Sequence, residues 1–154
     1  MHRRIGRTVA LVGAAAFLVV GVANGVTLAT AFTLSAKLTA GQEIPKQAVK
    51  VPGASGAFTG TLTKQGSGAK LKWKLTFSHL SGPATAAHIH LGKPGVMGNV
   101  IVPLCAANCR PGMTGSATIA SKIVADIKAG KTYVNVHTAK NPAGEIRGQV
   151  KVTG

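Results

Sequence analysis

The chain has 154 residues and a formal net charge of +15, with 18 lysines and arginines against three acidic residues. The acids, Glu43, Asp126 and Glu145, are too widely spaced to form an obvious pair for general acid and base catalysis. Nucleic acid is a poor candidate partner, because Trp73 and Tyr133 are the only large amphipathic aromatic residues available for base stacking. The positive charge instead favours anionic surfaces such as wall polymers, lipid headgroups or sulfated glycans.

The N-terminus has the layout of a secretory signal. Three arginines within the first seven residues precede a run from Thr8 to Ala36 without a charged residue. The small-x-small pattern Ala29-Thr30-Ala31 predicts a signal peptide over residues 1–31 and a mature chain that begins at Phe32. The alternative is an uncleaved membrane anchor, since the apolar run is long enough for a span of about 20 residues. Either form predicts an exported protein, secreted or held in the cell envelope or periplasm.

The mature chain, residues 32–154, has a size typical of one domain, and the loss of three arginines takes its charge from +15 to +12. Its residues form short apolar or alternating runs separated by glycine and proline, a pattern that predicts an all-β protein, either an antiparallel β-sandwich or a closed barrel. The predicted strands are 32–40, 56–64, 69–77, 84–91, 99–104, 115–120, 131–138 and 145–152. One short helix is predicted over 121–129, with Ser121 as a candidate N-cap and Gly130 as a stop.

The strand 69–77 is the clearest half-buried strand, because its apolar residues alternate with lysines. Lys70, Lys72 and Lys74 therefore share one face. This row is the most concrete candidate surface for contact with an anionic partner. The alternative is that the lysines only keep the surface of the sheet soluble.

Cys105 and Cys109 are the two cysteines of the chain. A close pair in an exported protein predicts a disulfide that shapes a loop. Closing so short a loop stabilises the fold by only about 2 kcal/mol. Metal ligation by the pair is the less favoured interpretation, because no further cysteine is present.

Three histidines form the candidate functional site. His88 and His90 lie two residues apart on a predicted strand, so their side chains share one face about 6.6 Å apart. His137 ends a second strand-like run, Tyr133-Val134-Asn135-Val136-His137. If the two strands are neighbours, three imidazoles lie together, and this ligand set suits copper or zinc. The alternative is that they are polar residues on the outer face of a half-exposed sheet.

Asn135, Glu145 and Arg147 are predicted to lie near these histidines. Residues 141–144, Asn-Pro-Ala-Gly, indicate a turn. Glu145 and Arg147 follow it at i and i+2, on one face of a strand. We expect Glu145 to be a structural partner of Arg147 or of a turn amide rather than a catalyst.

The motifs of the mature chain resemble those of a CHRD domain, a module named for chordin and also found singly in exported bacterial proteins. The resemblance rests on Thr39–Pro45, on Ala87-His88-Ile89-His90, and on Tyr133–Thr138 followed by Asn141–Gln149. It covers essentially all of residues 32–154. It implies a Greek-key β-sandwich of immunoglobulin-like or superoxide-dismutase-like type in an exported protein.

A second resemblance is to the copper half of copper/zinc superoxide dismutases. The order His-x-His, a distant strand histidine and then Asn-x-x-Gly-x-x-Arg is similar in both. This resemblance implies copper-ligand places for His88, His90 and His137, and places Arg147 near the arginine that attracts the anionic substrate. No histidine-rich zinc loop lies between Leu91 and Lys131, so the zinc site has no counterpart.

We therefore interpret the chain as an exported, non-enzymatic binding or structural module whose basic surface contacts an extracellular protein, an anionic polymer or a membrane surface. We expect a monomer that requires no cofactor. The alternative is a mononuclear copper- or zinc-binding protein with a His88/His90/His137 site and redox activity similar to that of superoxide dismutase.

Overall fold

The computed structural model describes residues 31–154, so the predicted signal peptide lies outside the described residues except for Ala31. Within this range no helix is long and apolar enough to cross a membrane. A short 3-10 helix spans Ala40–Gln42 and one α-helix, α1, spans Ser121–Lys128. The nine strands are β1 Ala31–Thr39, β2 Ser55–Gln65, β3 Gly68–Ser78, β4 Ala84–Leu91, β5 Val100–Cys105, β6 Met113–Ile119, β7 Thr132–Thr138, β8 Ile146–Gln149 and β9 Lys151–Thr153.

All strand pairs are antiparallel, and the strands join in the order β5-β4-β7-β8-β1-β2-β3-β6, with β9 also on β1. The sheet has two halves, β5-β4-β7-β8 and β9-β1-β2-β3-β6. The C-terminal segment links them, because β8 pairs with β7 whereas β9, just beyond Val150, pairs with β1. The connection 106–112 joins the two outermost strands, β5 and β6, and the whole is nearly barrel-shaped.

The core lies on the inner face of both halves. Alternation is clearest in β3, where buried and exposed residues take turns along nearly the whole strand. Close approach of neighbouring side chains requires glycine at two positions beside the core. A Cβ on Gly115 would overlap the Trp73 ring, and one on Gly56 would lie 2.9 Å from Ile146. The apolar pattern of the sequence is therefore satisfied by one continuous core.

The predicted all-β antiparallel fold with one short helix is confirmed. Two details of the prediction are wrong. The N-cap of α1 is Ala120 rather than Ser121, and no side chain caps the first turn. The predicted strand 145–152 is divided into β8 and β9, because Val150 is buried and donates its backbone N–H to Thr132 instead. Gly130 does follow the helix with φ of 66°, the left-handed conformation of a C-terminal stop.

The outer face of β4, β7 and β8 is partly covered by loops. The loop 92–98 contacts it through Gly98, which accepts a hydrogen bond from His90 Nδ1 at 3.0 Å. The segment 40–49 contacts it through Glu43, which is fully buried. Several polar side chains on this outer face, His90, Asn135 and Arg147 among them, are consequently buried, whereas His88 and His137 are half-buried.

Candidate functional site

The three histidines lie together on the outer face of two neighbouring strands. β4 pairs with β7 so that His88 is opposite Asn135 and Ala86 is opposite His137. Ile89 and Val136 point to the core and are fully buried, which leaves the histidines on the other side. The ring centroids are 5.1 Å apart for His88 and His137, 5.5 Å for His88 and His90, and 5.8 Å for His90 and His137.

Two of the imidazoles are held in a defined tautomer by backbone carbonyls. His90 Nδ1 lies 3.0 Å from Gly98 O, and His137 Nδ1 lies 3.0 Å from Pro142 O. A carbonyl oxygen can only accept, so each Nδ1 carries the hydrogen and each Nε2 keeps its lone pair. His90 Nε2 is buried and has no hydrogen-bond partner among residues 31–154. The hydrogen bonds from Nδ1 to backbone carbonyl oxygens are contacts that metal-ligating histidines ordinarily make with the ring nitrogen that does not bind the metal.

His88 completes the cluster through its Nδ1 atom, which lies 3.3 Å from His137 Nε2. One candidate ligand nitrogen from each of the three histidines lies within 4.8 Å of the others. Two nitrogens each about 2.1 Å from a shared zinc ion are at most about 4.2 Å apart. The separations of the three nitrogens are therefore close to those of ligands that share one ion.

The electrostatic environment keeps the three imidazoles neutral, which is the form that binds a metal. Burial lowers the pKa of His137 to about 4. Burial also lowers the pKa of His88, with repulsion from His90 as a further cause. For His90, burial outweighs the hydrogen bond to Gly98, so its pKa is lowered as well.

Arg147 lies behind His90 and is almost fully buried, with 2% of its surface exposed. Its Nη2 donates to Lys93 O at 3.0 Å and to Val96 O at 2.8 Å. The guanidinium lies 3.4 Å over the Tyr133 ring, and His90 stacks on the same ring. Arg147 therefore fastens the loop 92–98. This buried placement does not support the role of attracting an anionic substrate.

Glu145 does not pair with Arg147, so that predicted partner is wrong. Its fully buried carboxylate accepts hydrogen bonds from Ser81 N, from the hydroxyl groups of Ser81 and Thr138, and from Asn141 Nδ2. Burial alone would raise the pKa of Glu145, but these hydrogen bonds lower it. The contact with the side-chain amide of Asn141 agrees with the other expected partner, a turn amide, and with the expected structural role.

Glu43 is a residue of this region that sequence reasoning missed. Its carboxyl is fully buried, and Oε2 accepts a hydrogen bond from Asn135 Nδ2 at 3.4 Å. Burial raises its pKa to about 8, although the positive charge of Arg147 acts in the opposite direction. Two features of the sequence could have indicated that Glu43 matters: it is one of only three acids in the chain, and it lies within the Thr39–Pro45 segment.

The structure also places the remaining predicted residues. Cys105, the last residue of β5, forms a disulfide with Cys109 in the connection to β6, with their Cα atoms 5.8 Å apart. This pair is separate from the histidine cluster. Lys70, Lys72 and Lys74 are all exposed on the outer face of β3, in the other half of the sheet.

The segments that predicted the family in the sequence meet at the histidine cluster. Thr39–Pro45 contributes Glu43, Ala87–His90 contributes two histidines, and the last two motifs contribute Asn135, His137 and Arg147. A family model described as the CHRD domain matches residues 34–150. No curated protein and no solved structure matches the chain.

Proposed function

The chain belongs to the CHRD domain family, and we propose that it is an exported, non-enzymatic module that binds one copper or zinc ion through His88, His90 and His137. Export is supported by the signal-like layout of the N-terminus and by the disulfide. The family match itself supports only the broader description of a small extracellular-type module.

The observation that carries the metal proposal is the arrangement of hydrogen bonds around the cluster. His90 and His137 donate their Nδ1–H groups to carbonyl oxygens, which leaves the lone pair on the Nε2 atom of each. The Nε2 atom of His137 lies 3.3 Å from Nδ1 of His88. Histidines on an ordinary solvent-exposed sheet surface are not expected to share this orientation. Three imidazole nitrogens without a carboxylate favour copper or zinc over magnesium or calcium.

Calorimetry with Cu²⁺ or Zn²⁺ at micromolar concentration and neutral pH tests the proposal. We expect one ion per chain for the unmutated protein and loss of binding in the His88→Ala/His90→Ala double variant. His79 provides a control, because it is exposed and lies outside the cluster. His79→Asn is the suitable change, since φ at this residue is 55° and asparagine tolerates this conformation. Absence of binding by the unmutated protein would end the metal proposal.

A second proposed role is contact with an anionic partner of the envelope or extracellular space. It is favoured by the state of the acids: Glu43 and Glu145 are buried, and Asp126 pairs with Lys122 at 3.2 Å. The exposed lysines therefore have almost no internal counter-charge. We expect the protein to be retained on an anionic matrix at low salt and released as salt screens the attraction. Retention that does not change with salt would contradict this role.

A further inference from the structure

The outer face of the β9-β1-β2-β3-β6 half carries an array of lysines and hydroxyl groups, which we call the lysine face. Its centre is the row Lys70, Lys72 and Lys74 on β3. From Lys70 to Lys74 the strand extends about 13 Å. Lys37 on β1 and Lys151 on β9 are exposed on the same half of the sheet.

The strand register places every lysine of the row between two hydroxyl residues. Across β2 the partners of the row are threonines, and across β6 they are threonine or serine. The three cross-strand sets are Thr63-Lys70-Thr118, Thr61-Lys72-Ser116 and Thr59-Lys74-Thr114. The hydroxyl residues continue onto β1, where Thr33 pairs with Thr61 and Ser35 pairs with Thr59. The result is a row of lysine residues along one strand, bordered on both sides by residues with hydroxyl groups.

No acidic side chain lies on the lysine face. Glu43 and Glu145 are buried in connections that contact β7, in the other half of the sheet, and Asp126 is on α1. Neighbouring ammonium groups of the row consequently repel each other, without a carboxylate between them to offset the repulsion. A ligand with repeated negative charges along a line would relieve this repulsion at each lysine.

The face also lacks groups that would recognise other anionic partners. The large hydrophobic side chains that are exposed among residues 31–154 are Val49, Val96, Met97 and Val100, and none belongs to the strands of this face. Without an apolar wedge the face is poorly suited to insert into a bilayer. Without an exposed aromatic ring it has no platform on which a sugar or a base would stack. The lysine face can therefore recognise an anionic ligand only through the charged oxygen atoms of that ligand.

We propose that the lysine face binds a linear phosphate polymer that lies along β3, with its phosphate oxygens on Lys70, Lys72 and Lys74 and on the flanking hydroxyl groups. This inference rests on the proposed anionic contact and assigns its surface and its ligand chemistry. Binding of a chain rather than of single phosphates follows from the linear array, because each bound group holds the next one near its lysine.

Inorganic polyphosphate of defined length, with binding followed at low salt, is the direct probe. We expect the Lys70→Gln/Lys72→Gln/Lys74→Gln variant to bind about 100-fold more weakly, since each lysine near an anionic surface contributes about fivefold. The matched control is Lys50→Gln/Lys131→Gln/Lys140→Gln, which removes the same charge from exposed residues outside the face. We expect this control to change the affinity by less than about threefold, and orthophosphate to bind far more weakly than the polymer.

The outcomes separate the inference from the role on which it rests. If the unmutated protein binds no anionic probe at low salt, the proposed anionic contact itself fails. If polyphosphate binds but the two triple variants weaken equally, net charge rather than the lysine face is responsible and the inference is overturned. Tighter binding of heparin, or of vesicles of anionic lipid, than of polyphosphate at equal charge overturns the assignment of a phosphate polymer.

Discussion

Replacing Glu43 with glutamine is expected to change how the stability of this domain depends on pH. The carboxyl is fully buried, and burial raises its pKa from 4.5 to about 8. The folded protein therefore holds a proton on Glu43 that the unfolded chain releases above pH 4.5. A raised carboxyl pKa makes folding less favourable as pH increases, because the unfolded state gains from ionisation that the folded state resists.

The size of the effect follows from the two pKa values. They differ by about 3.5 pH units, and each unit corresponds to 1.36 kcal/mol, which gives up to about 5 kcal/mol. Glutamine resembles the protonated carboxyl in shape and carries no ionisable group. We expect Glu43→Gln and the unmutated protein to be similarly stable at pH 4.5, and the variant to be more stable by about 4 kcal/mol at pH 8.

Urea unfolding of both proteins between pH 4 and pH 8 measures this difference, and the contribution of the histidines cancels between them. Glu145→Gln is a matched control, because that carboxyl is equally buried but has a lowered pKa. Its ionised form accepts the hydrogen bonds, so this variant should be less stable by about 2–4 kcal/mol at neutral pH. The difference in stability between Glu145→Gln and the unmutated protein should become smaller as pH falls below 4.5. If the Glu43→Gln difference does not grow with pH, the protonated state assigned to Glu43 is wrong.

Three further predictions concern Gly144, the disulfide and the metal affinity of the histidine cluster. Gly144→Ala should lower the free energy of unfolding, measured by thermal unfolding, by at least about 2 kcal/mol, because φ is 143° and the new Cβ would lie 2.5 Å from Glu43 Oε2. Gly41→Ala is the control and should change the stability little, because a Cβ there would lie in open space. Equal losses of stability in the two variants would refute the steric argument. Cys105→Ser/Cys109→Ser should lower the free energy of unfolding by only about 2 kcal/mol, and unfolding of the domain would contradict its local role. Zinc affinity should stay constant above pH 6.5 and fall below it as the histidines bind protons, and a decline that begins above pH 7 would disagree with the lowered pKa values.

The strands could be predicted from the sequence because alternation has the same period as the strand itself. In β3 the apolar and lysine positions alternate so regularly that only one register buries a continuous face. The interruption at Val150 could not be predicted in this way. It depends on a backbone hydrogen bond to Thr132, a residue far away in the sequence.

The histidine cluster could be predicted in part for the same reason. The i and i+2 spacing puts His88 and His90 on one face, and the pairing of β4 with β7 adds His137. Side-chain partners were harder to predict. Glu145 and Arg147 have the i and i+2 spacing of a pair on one strand face. In the structure Glu145 instead accepts a hydrogen bond from the 138–141 turn, and Arg147 donates one to the loop 92–98. Glu43 lies in a segment whose glycine and prolines indicate only a connection, so its burial depends on how that connection folds over the sheet.

X-ray absorption at the metal edge of the copper- or zinc-loaded protein identifies the atoms that ligate the ion. We expect one ion with three imidazole nitrogens at about 2.0–2.1 Å, and loss of this signal when His88, His90 or His137 is replaced. An ion bound mainly by oxygen or sulfur, or a spectrum unchanged by these replacements, would contradict this expectation.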